Sequence, residues 1–267
     1  MNRILLLLFL ASCGGGGGGS STAIQEIITP RKDLLYGYYG GCPQCLDETK
    51  GHINLYHVTH WDGDGIADMQ RAKAFGIGVM LDLPEAYQSE AAVRARLQTL
   101  QALDLLGNIK AIYPIDEPDA AGISAERIGF VNAMVRRVAA EFNLDVPLAV
   151  TYSALFTWPG IQYYDWVGFD NYDANIFTNG DYARLKSVIR ADQRILLVPG
   201  GADKWRQDPS PYLAKAQQDL QVVAIIAFIW RDNADPKNGA HAGIRSNGMA
   251  KAYCSTGQQA TQKAGIC

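Results

Sequence analysis

Eight apolar runs of strand length alternate with helix-like stretches, and this alternation limits the fold more than any other feature of the chain. The runs cover residues 34–39, 53–59, 77–83, 109–115, 147–152, 166–169, 194–198 and 222–230. Helical periodicity occupies residues 66–75, 89–106, 124–142, 181–190, 211–220 and 249–254. Strands that are apolar throughout are buried on both faces, as in a parallel sheet covered by helices. Eight such units in about 240 residues predict a single-domain (β/α)8 TIM barrel.

An open doubly wound sheet is the main alternative fold with the same alternation. Such sheets usually carry a glycine-rich phosphate-binding turn, Gly-x-Gly-x-x-Gly, after the first strand. The first run here is followed by Gly40, Gly41, Cys42 and Pro43, which do not fit that pattern. We therefore expect the barrel, with Ser89 and Ser124 as N-caps of two of its helices. The link between the fifth and sixth strands is short and leaves little room for a helix.

The N-terminus has the features of an export signal. Arg3 precedes an apolar run over residues 4–10, which is too short to span a bilayer. The run ends in Leu-Ala-Ser-Cys, with Cys13 last, and this resembles the bacterial lipobox, in which the cysteine is lipidated and becomes the first residue. A stretch rich in glycine and serine follows, as in a flexible tether. An ordinary signal peptide that is cut nearby is the alternative.

The lipobox resemblance implies three segments: a signal peptide over residues 1–12, lipidated Cys13 with its tether over residues 13–23, and a globular domain over residues 24–267. It also implies an exported lipoprotein, held by palmitate-type lipid at the bacterial cell envelope. Gly14, in place of Asp after the cysteine, resembles lipoproteins sent to the outer membrane, and the periplasmic face is the other expected location.

The remaining four cysteines form two groups, Cys42 with Cys45 and Cys254 with Cys267. An even number of cysteines in an oxidising compartment favours two disulfides. Pairing within each group is the expected arrangement, although all three connectivities are open. A redox Cys-x-x-Cys should open a helix directly after a strand in a thioredoxin-like unit, and the surrounding pattern differs from that.

Charge limits the classes of partner. The formal net charge is −3 and no basic block occurs, so a nucleic-acid partner is not expected. His57 and His60 with Asp62 could bind a metal, but strand alternation would place the two histidines on opposite faces. We expect no metal and no cofactor, and we expect carbohydrate and, through the lipid, a membrane as partners.

Polar and aromatic side chains occur where the predicted strands end. The active site of a TIM barrel lies at the carboxyl ends of its strands, so these side chains should line one bowl. Carboxylates accept hydrogen bonds from sugar hydroxyls, and apolar sugar faces stack on aromatic rings. The bowl therefore predicts a carbohydrate site. The expected substrate contacts are Tyr38, His57, Asp82, Tyr152, Asp170, Tyr172, Trp230 and Asp232.

The fourth strand ends in Tyr113-Pro114-Ile115-Asp116-Glu117-Pro118. Here the chain resembles the glycosidase superfamily of TIM barrels, in which a Glu at the end of strand four, often preceded by Asn or Asp, acts as the acid. The resemblance implies that Glu117 is the general acid and that Asp116 orients either Glu117 or the substrate. A Glu shielded by rings keeps a raised pKa and can protonate a glycosidic oxygen. The alternative is two acids placed at the start of a helix.

The resemblance has a gap at strand seven. The largest clan of such barrels has a nucleophilic Glu there, whereas this strand is followed by Pro199, Gly200 and Gly201, with Asp203 several residues beyond it. One explanation is substrate-assisted hydrolysis of N-acetyl sugars, in which the acetamido group attacks. The other is a barrel that binds a glycan, or another envelope partner, without turnover. We expect a glycoside hydrolase-like lipoprotein, with the non-catalytic binding protein as the alternative.

Overall fold

The computed structural model describes residues 31–40, 42–60, 63–153, 156–235 and 239–267, and the side chains of residues 233–239 are not among those described. Cys13, the predicted site of lipidation, lies outside the described residues, as do the signal peptide and tether. Asp62, weighed above as a metal ligand, also lies outside them. No helix within the described ranges is long and apolar enough to cross a membrane.

Eight parallel strands form one sheet that is almost closed into a barrel, which confirms the predicted (β/α)8 fold. The strand order is β4-β3-β2-β1-β8-β7-β6-β5, and a parallel bridge between Ile112 and Leu148 joins the two outer strands. The strands are β1 Leu35–Tyr39, β2 Leu55–Val58, β3 Gly78–Asp82, β4 Ile109–Tyr113, β5 Ala149–Ser153, β6 Trp166–Asp170, β7 Arg194–Leu197 and β8 Val222–Ala227.

Helices follow most of the strands and cover the outside of the barrel. They are α1 Cys45–Thr49, α2 Ile66–Ala74, α3 Glu90–Ala102, α4 Ala125–Glu141, α5 Asp181–Val188, α6 Ser210–Gln218 and α7 Ala250–Thr261. Between β5 and β6 the described residues contain only the 3-10 turn Ile161–Tyr163, as the short link predicted. A two-stranded hairpin, β9 Asn233–Asp235 and β10 Gly239–His241, follows β8.

Side chains alternate between two buried layers along each strand. Inward-facing residues fill the barrel interior, among them Tyr39, Leu55, Met80, Tyr113 and Leu196. Outward-facing residues form a larger layer under the helices. Because period-two alternation fixes the face of every residue in a strand, a shift of one position moves a side chain from the bowl to the outer layer.

Both predicted N-caps are formed. The Ser89 hydroxyl accepts a hydrogen bond from the Ala92 backbone N–H at 3.1 Å, and Ser124 accepts one from the Arg127 N–H at 3.3 Å. Each bond satisfies one of the N–H groups left unpaired at a helix start.

We expect Ser89→Ala to lower the free energy of unfolding by about 1 kcal/mol, because the Ala92 N–H loses its intramolecular acceptor. In a chain of this size that corresponds to a fall in Tm of roughly 2–4 °C. Calorimetry of Ser187→Ala is the matched control, since Ser187 lies inside α5 and only bonds back to the Arg184 carbonyl. Equal Tm values for both variants would contradict the cap.

Both disulfides pair within their sequence groups, as expected: Cys42 with Cys45, and Cys254 with Cys267. The Cα atoms are 5.3 and 5.5 Å apart, within the normal range for a disulfide. The second bond ties α7 to the C-terminal tail across 13 positions. It restricts the unfolded chain more than the first, which spans only three positions.

Candidate active site

Glu117 lies in a tight turn just beyond the end of β4. Its φ is 35°, in the left-handed region that non-glycine residues rarely adopt. The turn is held by backbone hydrogen bonds from Ala121 N–H to the Glu117 carbonyl at 3.0 Å and from Ile123 N–H to the Pro118 carbonyl at 2.8 Å. A strained conformation of this kind costs of order 1–3 kcal/mol, and such strain concentrates at functional sites. The strain therefore marks Glu117 as a functional candidate.

The surroundings of Glu117 favour its protonated form. Burial raises the pKa of Glu117 to about 7, and the negative charges of Asp116 and Asp119 add to the effect. A carboxyl group with this pKa still carries a proton over much of the neutral range. It can therefore donate a proton at a pH where an ordinary Glu could not.

Asp116 is held by a hydroxyl network on the floor of the bowl. The Tyr113 hydroxyl donates to Asp116 Oδ1 at 2.7 Å and is itself in close contact with Thr151 Oγ1. The Tyr39 hydroxyl lies 3.3 Å from the same Thr151 oxygen. Solvent reaches part of Asp116, but the barrel mouth still desolvates it and raises its pKa, an effect that the Tyr113 bond partly offsets. Asp116 is thus oriented by the protein.

His57 lies inside the barrel, beneath this network. Its ring packs between Tyr39 and Tyr113, with centroids 4.5 and 4.8 Å away, and the residue is 1% exposed. Neither ring nitrogen has a hydrogen-bond partner among the described residues. Burial lowers the pKa of His57 to about 4, so the ring is neutral. His57 therefore supports the floor and does not reach a substrate, contrary to the prediction.

Asp82 is at the bowl but is engaged by His60. It accepts a hydrogen bond from the His60 backbone N–H at 3.2 Å, and its carboxylate contacts His60 Nδ1. Asp82 is buried whereas His60 is exposed, so the pair presents the imidazole to solvent. The hydrogen bond to Asp82 raises the pKa of His60. The Asp82 carboxylate is thus occupied by His60, and the imidazole is the exposed group at this point of the bowl.

Asp170 and Asp119 both lie next to Ser153. Asp170 ends β6 opposite Ser153 of β5, while the Ser153 N–H and hydroxyl donate to Asp119 at 2.9 and 2.8 Å. The Tyr172 hydroxyl donates to Asp170 Oδ2 at 3.0 Å. Burial and then the charges of Glu117 and Asp116 raise the pKa of Asp170 well above its usual range. Asp170 and Tyr172 lie together as predicted, whereas Asp119 was missed, although it follows Glu117 by only two residues.

An aromatic wall, formed by Tyr172, Trp205 and Phe228, stands beside these acids. The Tyr172 and Trp205 rings are 4.2 Å apart, and Phe228 lies 6.2 Å from Tyr172 and 6.0 Å from Trp205. Phe228 also packs 5.5 Å from Tyr39 on the floor. Trp205 and Phe228 are partly exposed and were missed from the sequence. The only signal for Trp205 was a large ring in the loop after strand seven.

Tyr38 and Tyr152 do not reach the bowl, and their prediction as substrate contacts is wrong. Both face outward and are fully buried. The Tyr38 hydroxyl bonds to His52 Nε2 at 3.0 Å, and the Tyr152 hydroxyl donates to the Pro159 carbonyl at 2.8 Å. In β1 the neighbouring residue, Tyr39, takes the inward position, as alternation requires.

Trp230 and Asp232 are also structural, which corrects a further part of the prediction. The Trp230 indole N–H donates to Glu48 Oε2 of α1 at 2.7 Å, and its ring lies 4.9 Å from Tyr38 in the outer layer. Asp232 accepts hydrogen bonds from the Gly243 N–H at 2.8 Å and from Arg245 at 3.0 Å. These bonds fasten the segment after β8, and Phe228, which directly follows β8, is the ring at this side of the bowl.

A cavity of about 420 Å³ lies elsewhere, beside the single bridge between β4 and β5. Its lining includes Ile112, Leu148 and the α4 residues Arg136 and Ala139, and none of the acids of the bowl. The cavity therefore belongs to the barrel seam. Within the described ranges, no three His, Cys, Asp or Glu side chains are grouped so that they could hold a metal ion.

Neither a protein-family model nor a curated protein sequence matches the chain. Solved structures do match its fold. A β-glucuronidase from Ruminococcus gnavus, in complex with D-glucuronic acid, has a TM-score of 0.59 at 12% identity, over 85% of this chain and 49% of that one. A GH2 β-galacturonidase from Eisenbergiella tayi, bound to galacturonate, has a TM-score of 0.58 at 11% identity, over 84% and 48%.

A GH113 β-1,4-mannanase matches over nearly its whole length, with a TM-score of 0.56 at 11% identity, over 86% of this chain and 99% of that one. This chain spans about half of the glucuronidase and the galacturonidase. At such low identity the likeness is one of fold, and function has to be argued from the site. The chain thus has the TIM-barrel fold found in glycoside hydrolases.

Proposed function

We propose that the protein is a glycoside hydrolase that acts on a polysaccharide or an envelope glycan, with Glu117 as its general acid. The observation that carries the proposal is the strained, half-buried Glu117 at the end of β4, whose pKa is raised to about 7. In the proposed step Glu117 donates its proton to the glycosidic oxygen as the bond to the anomeric carbon breaks. Asp116, fixed by Tyr113, orients the sugar beside it.

The rest of the bowl suits a carbohydrate. The aromatic wall offers apolar ring faces next to hydrogen-bonding acids, the combination that sugars need. His60, held by Asp82, adds a polar group at the mouth. The neighbouring structures described above include proteins bound to galacturonate and to D-glucuronic acid, which supports a carbohydrate ligand without specifying the sugar.

The proposal must account for the missing carboxylate on strand seven. Asp203 does not fill that place, because its backbone N–H bonds to the Ala242 carbonyl at 2.9 Å and its carboxylate lies 3.8 Å from His241 Nδ1. Asp203 therefore secures the β9–β10 hairpin. Substrate-assisted hydrolysis of N-acetyl sugars is one route that needs no such carboxylate, with Asp116 steering the acetamido group.

The first test is product release from aryl glycosides and envelope glycans. The panel should pair each hexoside with its 2-acetamido counterpart, so that an acetamido requirement is seen directly. Release from at least one member by wild-type protein, and none by Glu117→Gln, is the expected result. Equal release by both proteins would remove Glu117 as the acid.

The pH profile gives an independent test. Because Glu117 must be protonated to act, kcat/KM should fall tenfold per pH unit above about 7. Initial rates on one aryl glycoside between pH 5 and pH 9 would measure the inflection. A profile that stays flat through pH 8 would contradict an acid with this pKa.

A glycan-binding lipoprotein without turnover is the second candidate, and the lack of a carboxylate at the end of β7 favours it. It predicts saturable binding of a glycan, equal in wild-type protein and Glu117→Gln, and no product from any substrate. Isothermal titration with the same glycans as in the release assay separates the two candidates.

We further propose that Cys13 is lipidated and anchors the protein in the bacterial envelope. The lipobox-like Leu-Ala-Ser-Cys sequence supports this. Intact-mass analysis of protein extracted from membranes should show cleavage before Cys13 and the added mass of the acyl chains. Cys13→Ala should be recovered without that mass and outside the membrane fraction, and an unmodified Cys13 in membrane-extracted wild-type protein would contradict the proposal.

A further inference from the structure

We propose that Asp170, at the end of β6, supplies the second catalytic carboxylate of the hydrolase and takes the place of the one missing from strand seven. The inference rests on the proposed function. It goes further because it makes hydrolysis independent of an acetamido group on the substrate. The substrate class then includes plain hexosides.

The first support is position. Asp170 is the register partner of Ser153, and Ser153 donates two hydrogen bonds to Asp119. Asp119 is two residues from Glu117 in the strained turn after β4. This chain of contacts brings the end of β6 next to the end of β4 at the barrel mouth. A sugar bound between them would meet Glu117 on one side and Asp170 on another.

The second support is that the two carboxylate oxygens of Asp170 differ in their hydrogen bonding. Oδ2 accepts the hydrogen bond from Tyr172, which fixes the plane of the carboxylate. Oδ1 is buried and has no hydrogen-bond partner among the described residues. A buried carboxylate oxygen without a partner is costly in a folded protein. Such a cost is expected where the oxygen is reserved for a ligand or a reacting water.

The third support is that, among the described residues, no arginine or lysine forms an ion pair with the acids of the bowl. Elsewhere in the described chain, acids pair with arginine or lysine, as Glu141 does with Arg94 and Asp219 with Lys186. No ion pair of the described residues involves Asp116, Glu117, Asp119 or Asp170. Neighbouring carboxylates without counter-ions do not all ionise together. The charge of Glu117 contributes to the raised pKa of Asp170, as expected for two carboxyl groups that share one site.

The proposed step balances as follows. Asp170 takes a proton from a water molecule, whose oxygen forms a bond to the anomeric carbon. The bond from that carbon to the glycosidic oxygen breaks, and the leaving oxygen receives the proton of Glu117. The products are a hemiacetal of inverted configuration and a free alcohol. Proton exchange with solvent returns Asp170 and Glu117 to their starting states.

The role proposed for Asp170 is that of a base. Tyr172 holds Oδ2, while Oδ1 has no hydrogen-bond partner among the described residues and would accept the proton of the attacking water. The wild-type enzyme should therefore release a product of inverted configuration, which proton NMR of the first turnovers can detect.

The decisive variants are Asp170→Asn and Asp170→Ala. Asparagine keeps an acceptor for the Tyr172 hydroxyl, so the fold and the Tm should be kept while kcat falls by about 10²- to 10⁴-fold. In Asp170→Ala, added sodium azide should restore release and yield a glycosyl azide of inverted configuration, because azide attacks without a base. A purely structural residue would give no azide product.

Asp173→Asn is the matched control. Asp173 is exposed, lies in the same loop, and accepts a hydrogen bond from the Asn175 N–H at 2.8 Å. The activity of Asp173→Asn should stay within twofold of wild type. Retained configuration, activity in Asp170→Asn near wild type, or absolute dependence on a 2-acetamido group would each overturn the assignment. If Glu117→Gln is inactive and Asp170→Asn is active, only the role of Asp170 fails. If wild-type protein releases nothing, the proposed function fails together with it.

Discussion

Glu117→Gln is expected to lower kcat by about 10³-fold or more on a substrate with a poor leaving group, while glycan affinity changes by less than about threefold. Glutamine fills nearly the same volume and still offers an acceptor and a donor to a sugar. It has no proton to give at neutral pH. The loss should be smaller on aryl glycosides with acidic phenols, because their leaving oxygen needs less protonation.

The measurement is kcat on a matched pair of good and poor leaving groups, together with the Kd of an unreactive glycan. Glu126→Gln is the control, because Glu126 is an exposed glutamate in the first turn of α4. It should leave both quantities unchanged. A fall in affinity with kcat unchanged would show that Glu117 binds substrate and does not act as the acid.

The same substitution should stabilise the protein in the absence of substrate. The folded-state pKa of Glu117 is raised from 4.5 to about 7, so ionisation of Glu117 opposes folding. Below the unfolded-state pKa, Glu117 is protonated in both states and the wild-type protein keeps its full free energy of unfolding. That free energy falls as pH rises from the unfolded-state pKa to about 7. Because Glu117 is partly solvated, the gain for the glutamine variant at pH 8 should be only about 1–2 kcal/mol. It should vanish at pH 4.

The barrel could be predicted from the sequence because its signal is long and periodic. Eight apolar runs indicate eight strands even where the predicted ends are wrong by several residues. For example, β8 ends at Ala227, although its apolar run continues to Trp230. The turn containing Asp116 and Glu117 could be found as well, since it follows a strand directly and the two acids are adjacent. Asp170 and Tyr172 were found for the same reason.

The face of each aromatic side chain could not be predicted. A strand buried on both sides shows no polar alternation, so the sequence contains no sign of which tyrosine in β1 faces inward. Tyr39 lies on the floor of the bowl while Tyr38 lies in the outer layer. The same ambiguity misplaced Tyr152. After β8 the reason is different: the strand ends at Ala227, so alternation no longer applies, and Phe228 rather than Trp230 lies at the bowl.

Partners distant in sequence were also beyond reach. His57 and Asp82 were predicted to touch the substrate because each lies at or near a strand end. Their roles are set by Tyr39 and Tyr113 around His57, and by His60 beside Asp82. Such contacts depend on the closure of the barrel and on loop paths that local patterns do not encode. Strand ends thus identify the region of a site more reliably than the residues that act in it.

Substitution of Trp230 should mainly lower stability, whereas substitution of Trp205 should mainly lower glycan affinity. Trp230→Ala is expected to lower the free energy of unfolding by about 3–5 kcal/mol, because it empties a buried site next to Tyr38. It also removes the indole hydrogen bond to Glu48. The corresponding fall in Tm is on the order of 10 °C.

Trp205→Ala should instead weaken glycan binding by about tenfold and lower the Tm by only a few degrees, because Trp205 is partly exposed on the aromatic wall. Calorimetry and glycan titration on both variants, with Trp230→Phe and Trp205→Phe as ring-retaining controls, would separate the two roles. Trp230→Phe should recover much of the lost stability, and Trp205→Phe much of the lost affinity. If Trp230→Ala weakened glycan binding and left the Tm unchanged, Trp230 would belong to the bowl and to its aromatic wall.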